Sequence, residues 1–300
     1  MKAVVFYYSQ SGQALDVAHA ICKAIDEGAG NLVVYRQIVP LQDYPFPWSR
    51  DTFFGVFPET RLGLPPSGIQ PMDFTGIADA DVVFIVGQSW FLSPSLPLQS
   101  FFSDEGVKGY LKGRDVIFVN ACRNMWLMTG RKVKQYIRQS DARLVGHIVM
   151  QDSAPNLVSA LSVVRWLMYG RKAAGWLLPE AGISQRDLTE AARFGDIVRQ
   201  VWSKGGLTHL QDELLSAGAI NYKPSVLFLE KLGHRMFGFW ATFVRRKGDF
   251  GDCRRRHRIR LFFVYLLVVL FLVSPLAQLF FYLTYPLHHV SRERLADCSV

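Results

Sequence analysis

The sequence predicts a doubly wound α/β domain of five parallel strands with a membrane-associated helical tail. Three observations predict it. Five short apolar runs alternate with amphipathic stretches over residues 1–205. A small hydroxyl-rich loop joins the first run to the first amphipathic stretch. The chain then closes on a long apolar segment preceded by a dense basic cluster. Continuous apolar strands suit a parallel sheet covered on both faces, and helical periodicity between them supplies the cover.

The first strand is Ala3–Tyr8, and a helix over Gln13–Glu27 follows with Leu15, Val17, Ala18 and Ile21 on one side. Between them lies Ser9-Gln10-Ser11-Gly12-Gln13-Ala14. Backbone N–H groups at such a helix start, with small hydroxyls beside them, form a seat for a phosphate. The loop has no Walker lysine and no G-x-G-x-x-G, which argues against triphosphates and dinucleotides. A plain strand-to-helix turn is the other reading.

The second strand is Leu32–Ile38. Pro40–Ala80 is too long for a connector and holds Tyr44, Phe46, Trp48, Phe53, Phe54 and Phe57, so it reads as a functional or covering excursion. The third strand, Val82–Val86, ends in Gly87–Ser95, where Trp90 and Phe91 either stack on a ring or cap the sheet as core. A helix over Leu96–Phe102 follows. The fourth strand, Val116–Val119, leads through Asn120–Trp126 to a helix over Leu127–Arg138. Cys122 in that loop reads as a buried small residue, since no His or Asp pairs with it.

The fifth strand is Leu144–Met150, with His147 expected to be packed in the core. Asp152 lies just past it and reads either as a general base on a carbon acid or as a cap before Pro155-Asn156. Ser153–Glu180 is a second excursion, with an apolar stretch (Leu157, Leu161, Val164, Trp166, Leu167) and the pair Arg171-Lys172. A helix over Gln185–Trp202 completes the domain.

Residues 206–252 read as an amphipathic membrane-proximal linker, with Val226–Val244 able to lie along a membrane surface. Residues 253–300 hold a basic cluster, CRRRHRIR, and an apolar anchor. From Lys223 to Arg260, eleven Lys/Arg face three Asp/Glu, so one segment carries +8 of the chain's net +9. The rest is nearly neutral, which gives no support to a nucleic-acid surface. From Leu261 to Leu287 only Gln278 is strongly polar, and about 20 helical residues cross a bilayer core. Arg254–Arg260 beside it suits anionic lipid and a cytoplasmic orientation. Ser274-Pro275 leaves a kinked span or a re-entrant hairpin open. His288-His289 look interfacial. Four dispersed cysteines fit a reducing compartment and no structural metal, and no secretory signal opens the chain.

The loop Ser9–Ala14 resembles the FMN phosphate loop of the flavodoxin-like fold, roughly Ser/Thr-x-Thr/Ser-Gly-Asn/Gln-Thr/Ala. Ser9, Ser11, Gly12, Gln13 and Ala14 match in order, with Ala14 in place of the last hydroxyl. The resemblance implies strand order 2-1-3-4-5, with FMN in the crevice between strands 1 and 3. It puts Ser9, Gln10, Ser11, Gly12, Gln13 and Ala14 at the phosphate and Gln88, Ser89, Trp90 and Phe91 at the ring. Asn120, Arg123 and Asn124 then reach the pyrimidine side, where Arg123 is either a stabiliser of negative charge or a surface cation.

With VVFYYSQSGQ, DVVFIVGQSW and the basic apolar C-terminus, the whole chain is also similar to the dialkylresorcinol condensing enzyme/aromatase family of bacterial lipid and pigment pathways. That likeness implies flavin-dependent dehydrogenation of a lipophilic 2,5-dialkylcyclohexane-1,3-dione to a resorcinol; Arg123 and Asp152, from their place at the carboxyl edge of the fourth and fifth strands, are the candidate catalytic residues. It also implies a ketosynthase as partner and a catalytic domain on the cytoplasmic side of the bacterial inner membrane. An NAD(P)H:quinone reductase-like flavoprotein, a tethered electron carrier and a flavin-free scaffold are the alternatives.

Overall fold

In the computed structural model, residues 1–284 are described. Five parallel strands form the sheet: β1 (Lys2–Tyr7), β2 (Leu32–Gln37), β3 (Val82–Trp90), β4 (Asp115–Cys122) and β5 (Arg143–Gln151). They lie in the order β2-β1-β3-β4-β5, the flavodoxin-like order the sequence predicts. Ala3 sits opposite Val33 on one side and Val82 on the other, and a bulge at Val116/Ile117 shifts the β4–β5 register.

The helices are α1 (Gln13–Asp26), α2 (Arg50–Gly55), α3 (Phe57–Leu62), α4 (Leu96–Ser103), α5 (Glu105–Leu111), α6 (Leu127–Gln139), α7 (Asn156–Tyr169), α8 (Gln185–Ser203), α9 (Leu210–Ser216), α10 (Pro224–Arg245), α11 (Arg256–Val268) and α12 (Ser274–Thr284). One core lies between the sheet and α1, α8 and α9, where Val5, Phe84, Val119 and Ile148 meet Ile21 and Phe194. The other lies under α4 and α6, where Phe6, Ile85 and Phe118 meet Phe101 and Ile137. His147 is buried, stacked on Phe118 with Trp126 edge-on, a core histidine as expected. Residues 207–219 continue the first core, with the Val149 N–H donating to the Ala219 carbonyl at 2.8 Å.

The strand expectations shift by a residue or so at their ends, except in β3 and in β4, which takes in Asn120, Ala121 and Cys122 from the expected loop. Gly87–Trp90 continues β3 and pairs with an antiparallel return at Ser93–Pro94. The short helices α2, α3, α5 and α9 lie outside the sequence reading, because none is long enough to show a period. Local caps build two of them: Ser49 and Thr52 form a capping box on α2, and Asp104 accepts from the Val107 N–H on α5.

The tail forms one continuous 32-residue helical rod, Cys253–Thr284, long and apolar enough to cross a membrane and little buried over its most apolar stretch. It holds a 3₁₀ turn, α11, a π turn at Val269–Val273 and α12. The π turn directly precedes Ser274-Pro275. Proline has no N–H and crowds the carbonyl four residues back, and a widened turn absorbs that clash without breaking the rod. The re-entrant hairpin is therefore not what the described residues form. His288, His289 and Cys298 lie outside them.

Candidate functional site

The carboxyl edge of β1, β3, β4 and β5 collects the expected site loops. Gly12 begins α1 at φ +88°, in the left-handed region where a Cβ meets only backbone strain and no neighbouring atom. The Ser9 hydroxyl accepts from the Leu15 N–H at 3.3 Å and braces the loop. Among the described residues, none of the backbone N–H groups from Ser9 to Ala14 finds a protein acceptor. Six consecutive donors at the positive end of a 14-residue helix make an anion seat.

Two side chains of this loop face other business. Gln10 donates to the carbonyls of Tyr44 and Pro45 and accepts from the Trp48 indole at 3.1 Å. Gln13 donates to the Ile183 carbonyl at 3.1 Å, and its amide lies where a Cβ on Gly182 would stand. Each thus ties an excursion to the loop and leaves only its N–H for a ligand.

The edge of β3 and β4 holds unpaired polar atoms. Ser89 Oγ donates to Asn120 Oδ1 at 3.0 Å, and the Trp90 indole donates to Gln88 Oε1 at 3.3 Å. Gln88 Nε2, Asn120 Nδ2 and Asn124 Oδ1 are buried with no partner among the described residues. Buried polar groups are nearly always paired, and each orphan carries a cost of about 1–3 kcal/mol. Two donors and one acceptor match a flavin pyrimidine edge, which offers two carbonyl oxygens and one N–H.

Trp90 is buried, edge-on to Tyr8, Tyr44 and Trp48, so its ring belongs to the wall between sheet and excursion. Phe91 and Leu92 turn the strand at φ +48° and +60°. Left-handed backbone costs an L residue roughly 1–2 kcal/mol. Packing holds them there: Phe91 meets the rings of Phe53 and Phe57, and Leu92 lies against Gly233 of α10.

Arg123 donates through Nη1 to the carbonyl and the Oδ1 of Asn156, at 2.8 and 2.9 Å, and Asn124 Nδ2 donates to the same Oδ1 at 2.7 Å. Burial pulls the Arg123 pKa down to about 10, with the Asp152 carboxylate opposing the shift, so it stays cationic at neutral pH. Burial pushes the Cys122 thiol up, with Glu230 adding to the effect, which removes it as a nucleophile. Asp152 is buried and accepts from Ala154 N–H, Ser159 Oγ and Gly182 N–H at 2.9, 2.7 and 3.3 Å. Its carboxylate organises the loop, the first turn of α7 and the 182 segment.

Asn156, Ser159 and Gly182 escaped the sequence reading. A polar residue opening an apolar helix just after Pro155 was the available signal. α7 itself is turned inside out: Ser159 and Ser162 are buried while Leu161 and Val164 are 42% and 47% exposed. Beside the loop, a cavity of about 280 Å³ opens between Tyr44 and Trp48 of the excursion and Arg256, Ile259 and Arg260 of the rod. Among the described residues no His/Cys/Asp/Glu group is placed to hold a metal.

No family model and no curated protein matches the chain. Solved structures similar to it include a flavoprotein in complex with FMN from Lactobacillus acidophilus NCFM (15% identity, 49% of this chain, 92% of that chain, TM-score 0.40). A flavodoxin from the domain Archaea is 15% identical over 67% of this chain and 99% of its own, at TM-score 0.36. An azoreductase from Bacillus anthracis str. Sterne is 12% identical over 65% of this chain and 99% of its own, also at 0.36. The strand order, and not these likenesses, fixes the fold.

Proposed function

We propose that this protein is a membrane-associated, FMN-dependent oxidoreductase acting on a lipophilic cyclic diketone, phenol or quinone, and that its reaction is aromatisation of a 2,5-dialkylcyclohexane-1,3-dione. One observation carries the cofactor: six free N–H groups at Ser9–Ala14 stand on the same sheet edge as the orphaned polar atoms of Gln88, Asn120 and Asn124. The first set fits a phosphate dianion and the second a pyrimidine edge. FMN has both.

Bound FMN supplies a two-electron acceptor for hydride from a ring carbon. The chain's part is positioning and charge. Gln88 Nε2 and Asn120 Nδ2 donate, Asn124 Oδ1 accepts, and the wall of Tyr8, Tyr44, Trp48 and Trp90 keeps water from the crevice. A cyclic 1,3-dione is itself acidic, so its enolate needs a cation to hold it more than a base to make it. Arg123 is that cation, fixed by Asn156, with Nε and Nη2 free of acceptors among the described residues. Asp152, with its carboxylate occupied, serves as the organiser of this edge. The substrate leaves with two hydrogens fewer, one given up as a proton and one as hydride.

The outward apolar face of α7 and the rod support a substrate drawn from lipid. The occupied state of Asp152 also favours a second reading, a quinone reductase fed by NAD(P)H, which needs no base on its substrate. Purified protein is expected to be yellow. Anaerobic loss of that colour on adding a dialkylcyclohexanedione, with NADPH ineffective, supports the aromatase. Rapid bleaching by NADPH alone overturns it in favour of the reductase, and a colourless protein that takes up no FMN overturns both.

A further inference from the structure

The rod is long enough to span a bilayer, yet its apolar part runs back along α10. Near one end, Phe237 meets Phe262 with ring centroids 5.4 Å apart and Trp240 meets Tyr265 at 5.0 Å. Further along the rod, Phe228 meets Phe281 at 5.7 Å and Ser225 Oγ lies 3.3 Å from the Tyr282 hydroxyl. The two run antiparallel as a hairpin and touch near both ends of α10.

α10 cannot enter hydrocarbon with it. Arg61 donates to the His234 carbonyl through Nε and Nη2, at 3.0 and 2.8 Å. Glu230 is buried and accepts from the Leu127 and Met128 N–H groups that open α6. These bonds bolt α10 to the catalytic domain, so a rod packed on α10 lies along that domain's flank. A perpendicular span would have to peel it off.

The hairpin's outer surface is suited to lying flat. On α10, Phe228, Leu232, Phe239 and Phe243 recur at helical spacing and are exposed, Phe239 by 71%; exposed Arg235 falls on the same stripe, Lys231 lies beside it, and Arg246 follows the last turn. The rod itself exposes Leu272, Leu276 and Leu283. An exposed apolar stripe whose long cationic side chains can reach back to headgroups suits a helix seated in one leaflet. The expected lipid contact of Arg254–Arg260 narrows accordingly: Arg255 is interior and bonded to Glu59, Arg254 pairs with Asp252, and Arg258 lies over the Phe243 ring, leaving Arg256 and Arg260 outward.

We propose that the α10–rod hairpin is an in-plane anchor seated in one leaflet of an anionic bilayer, and that the rod does not cross it. This rests on the membrane half of the function proposed above and not on its flavin half. The native cysteines test it. Cys253 is exposed at the head of the rod, and Cys298 follows it in the sequence. The full chain is reconstituted in phosphatidylglycerol/phosphatidylethanolamine vesicles, treated with a membrane-impermeant maleimide, and the labelled peptides are identified by mass.

The expected result is vesicle-bound protein in which Cys253 and Cys298 label from the same side without detergent. Cys298 labelling only after permeabilisation, on molecules whose Cys253 labels without it, shows a span and overturns the proposal. Protein that stays in solution without detergent, as monomer or dimer, overturns the membrane reading itself, and the in-plane anchor with it. FMN content, read on the same sample, reports the flavin half separately.

Discussion

Arg255 donates from Nη1 and Nη2 to the two carboxylate oxygens of Glu59, both at 2.8 Å, in a pair that is 2% and 1% exposed. Arg255 belongs to the first turn of the rod and Glu59 to α3, inside the aromatic excursion. Around them Phe57 stacks on Phe262 with centroids 3.7 Å apart. The rod is thus fastened to the excursion that also supplies Phe53 and Phe57 to the Phe91 turn.

Removing one partner of a buried ion pair leaves the other charge uncompensated, at a cost of about 3–5 kcal/mol. Arg255→Met is expected at the low end, because Arg245 also reaches Glu59 at 3.2 Å. Glu59→Gln with Arg255→Met should recover most of the loss, since no buried charge is then stranded. Chemical unfolding of the wild type, both single variants and the double variant in detergent gives the coupling energy. A double variant as unstable as the sum of the singles would show that the pair contributes packing alone.

Asn120 gives a prediction in which stability and binding part company. Its Nδ2 is orphaned in the protein alone, so Asn120→Leu removes an unpaired buried donor along with one bond to Ser89 Oγ. The protein without flavin should unfold within about 1 kcal/mol of wild type, because the two changes oppose each other. FMN binding should weaken by about tenfold or more, the equivalent of one lost hydrogen bond. Titration followed by flavin fluorescence measures the second effect and thermal unfolding the first. Equal FMN affinity in the variant would take Asn120 out of the site.

Asp152 separates an organiser from a base. Asp152→Asn keeps a carbonyl oxygen for Ala154 N–H but brings an NH₂ to face both Ser159 Oγ and Gly182 N–H, which share the other carboxylate oxygen. Stability and FMN loading are expected to fall, with turnover per bound flavin nearly unchanged. A base role would instead cost orders of magnitude in kcat with full loading. Turnover normalised to flavin absorbance distinguishes the two.

Much of this fold was legible because its signals are local. The five apolar runs reach the sheet in the expected order, and Gly12 takes the left-handed angle a loop of that composition requires. The site was legible down to its loops, and less so in its side chains. Gln10 and Gln13 sit in the loop as expected but bond to Pro45 and Ile183, partners that only the tertiary fold brings near. Trp90 joined a wall because Tyr44 and Trp48, forty residues earlier, arrive there. Arg255 looked like one cation in a run of them. Its burial depends on Glu59, some 196 residues away, which no spacing rule connects.

The last prediction concerns pH and α10. Burial pushes the Glu230 carboxyl up to about 7 from an ordinary 4.5, against the N–H groups of α6 and the nearby Arg131, which favour its charged form. Burial, with Arg61 alongside, pulls the His234 imidazole down to about 4 from 6.5. The signs oppose. Native Glu230 holds its proton between 4.5 and 7 while the unfolded chain has lost it, so its contribution to stability falls as pH rises through that window. Native His234 stays neutral between 4 and 6.5 while the unfolded chain is protonated, so its contribution rises with pH. From about 5 to 6.5 the two offset, and above 6.5 only the Glu230 loss remains. Glu230→Gln keeps an acceptor for the opening of α6 and removes the titration. Its unfolding midpoint, compared with wild type at each pH, should gain from about pH 4.5 to 7 and level off above that. The total gain should be up to about 3 kcal/mol, from a shift of that size at about 1.4 kcal/mol per pH unit. A difference that stays level across that range would show that Glu230 ionises in the folded chain as it does in water.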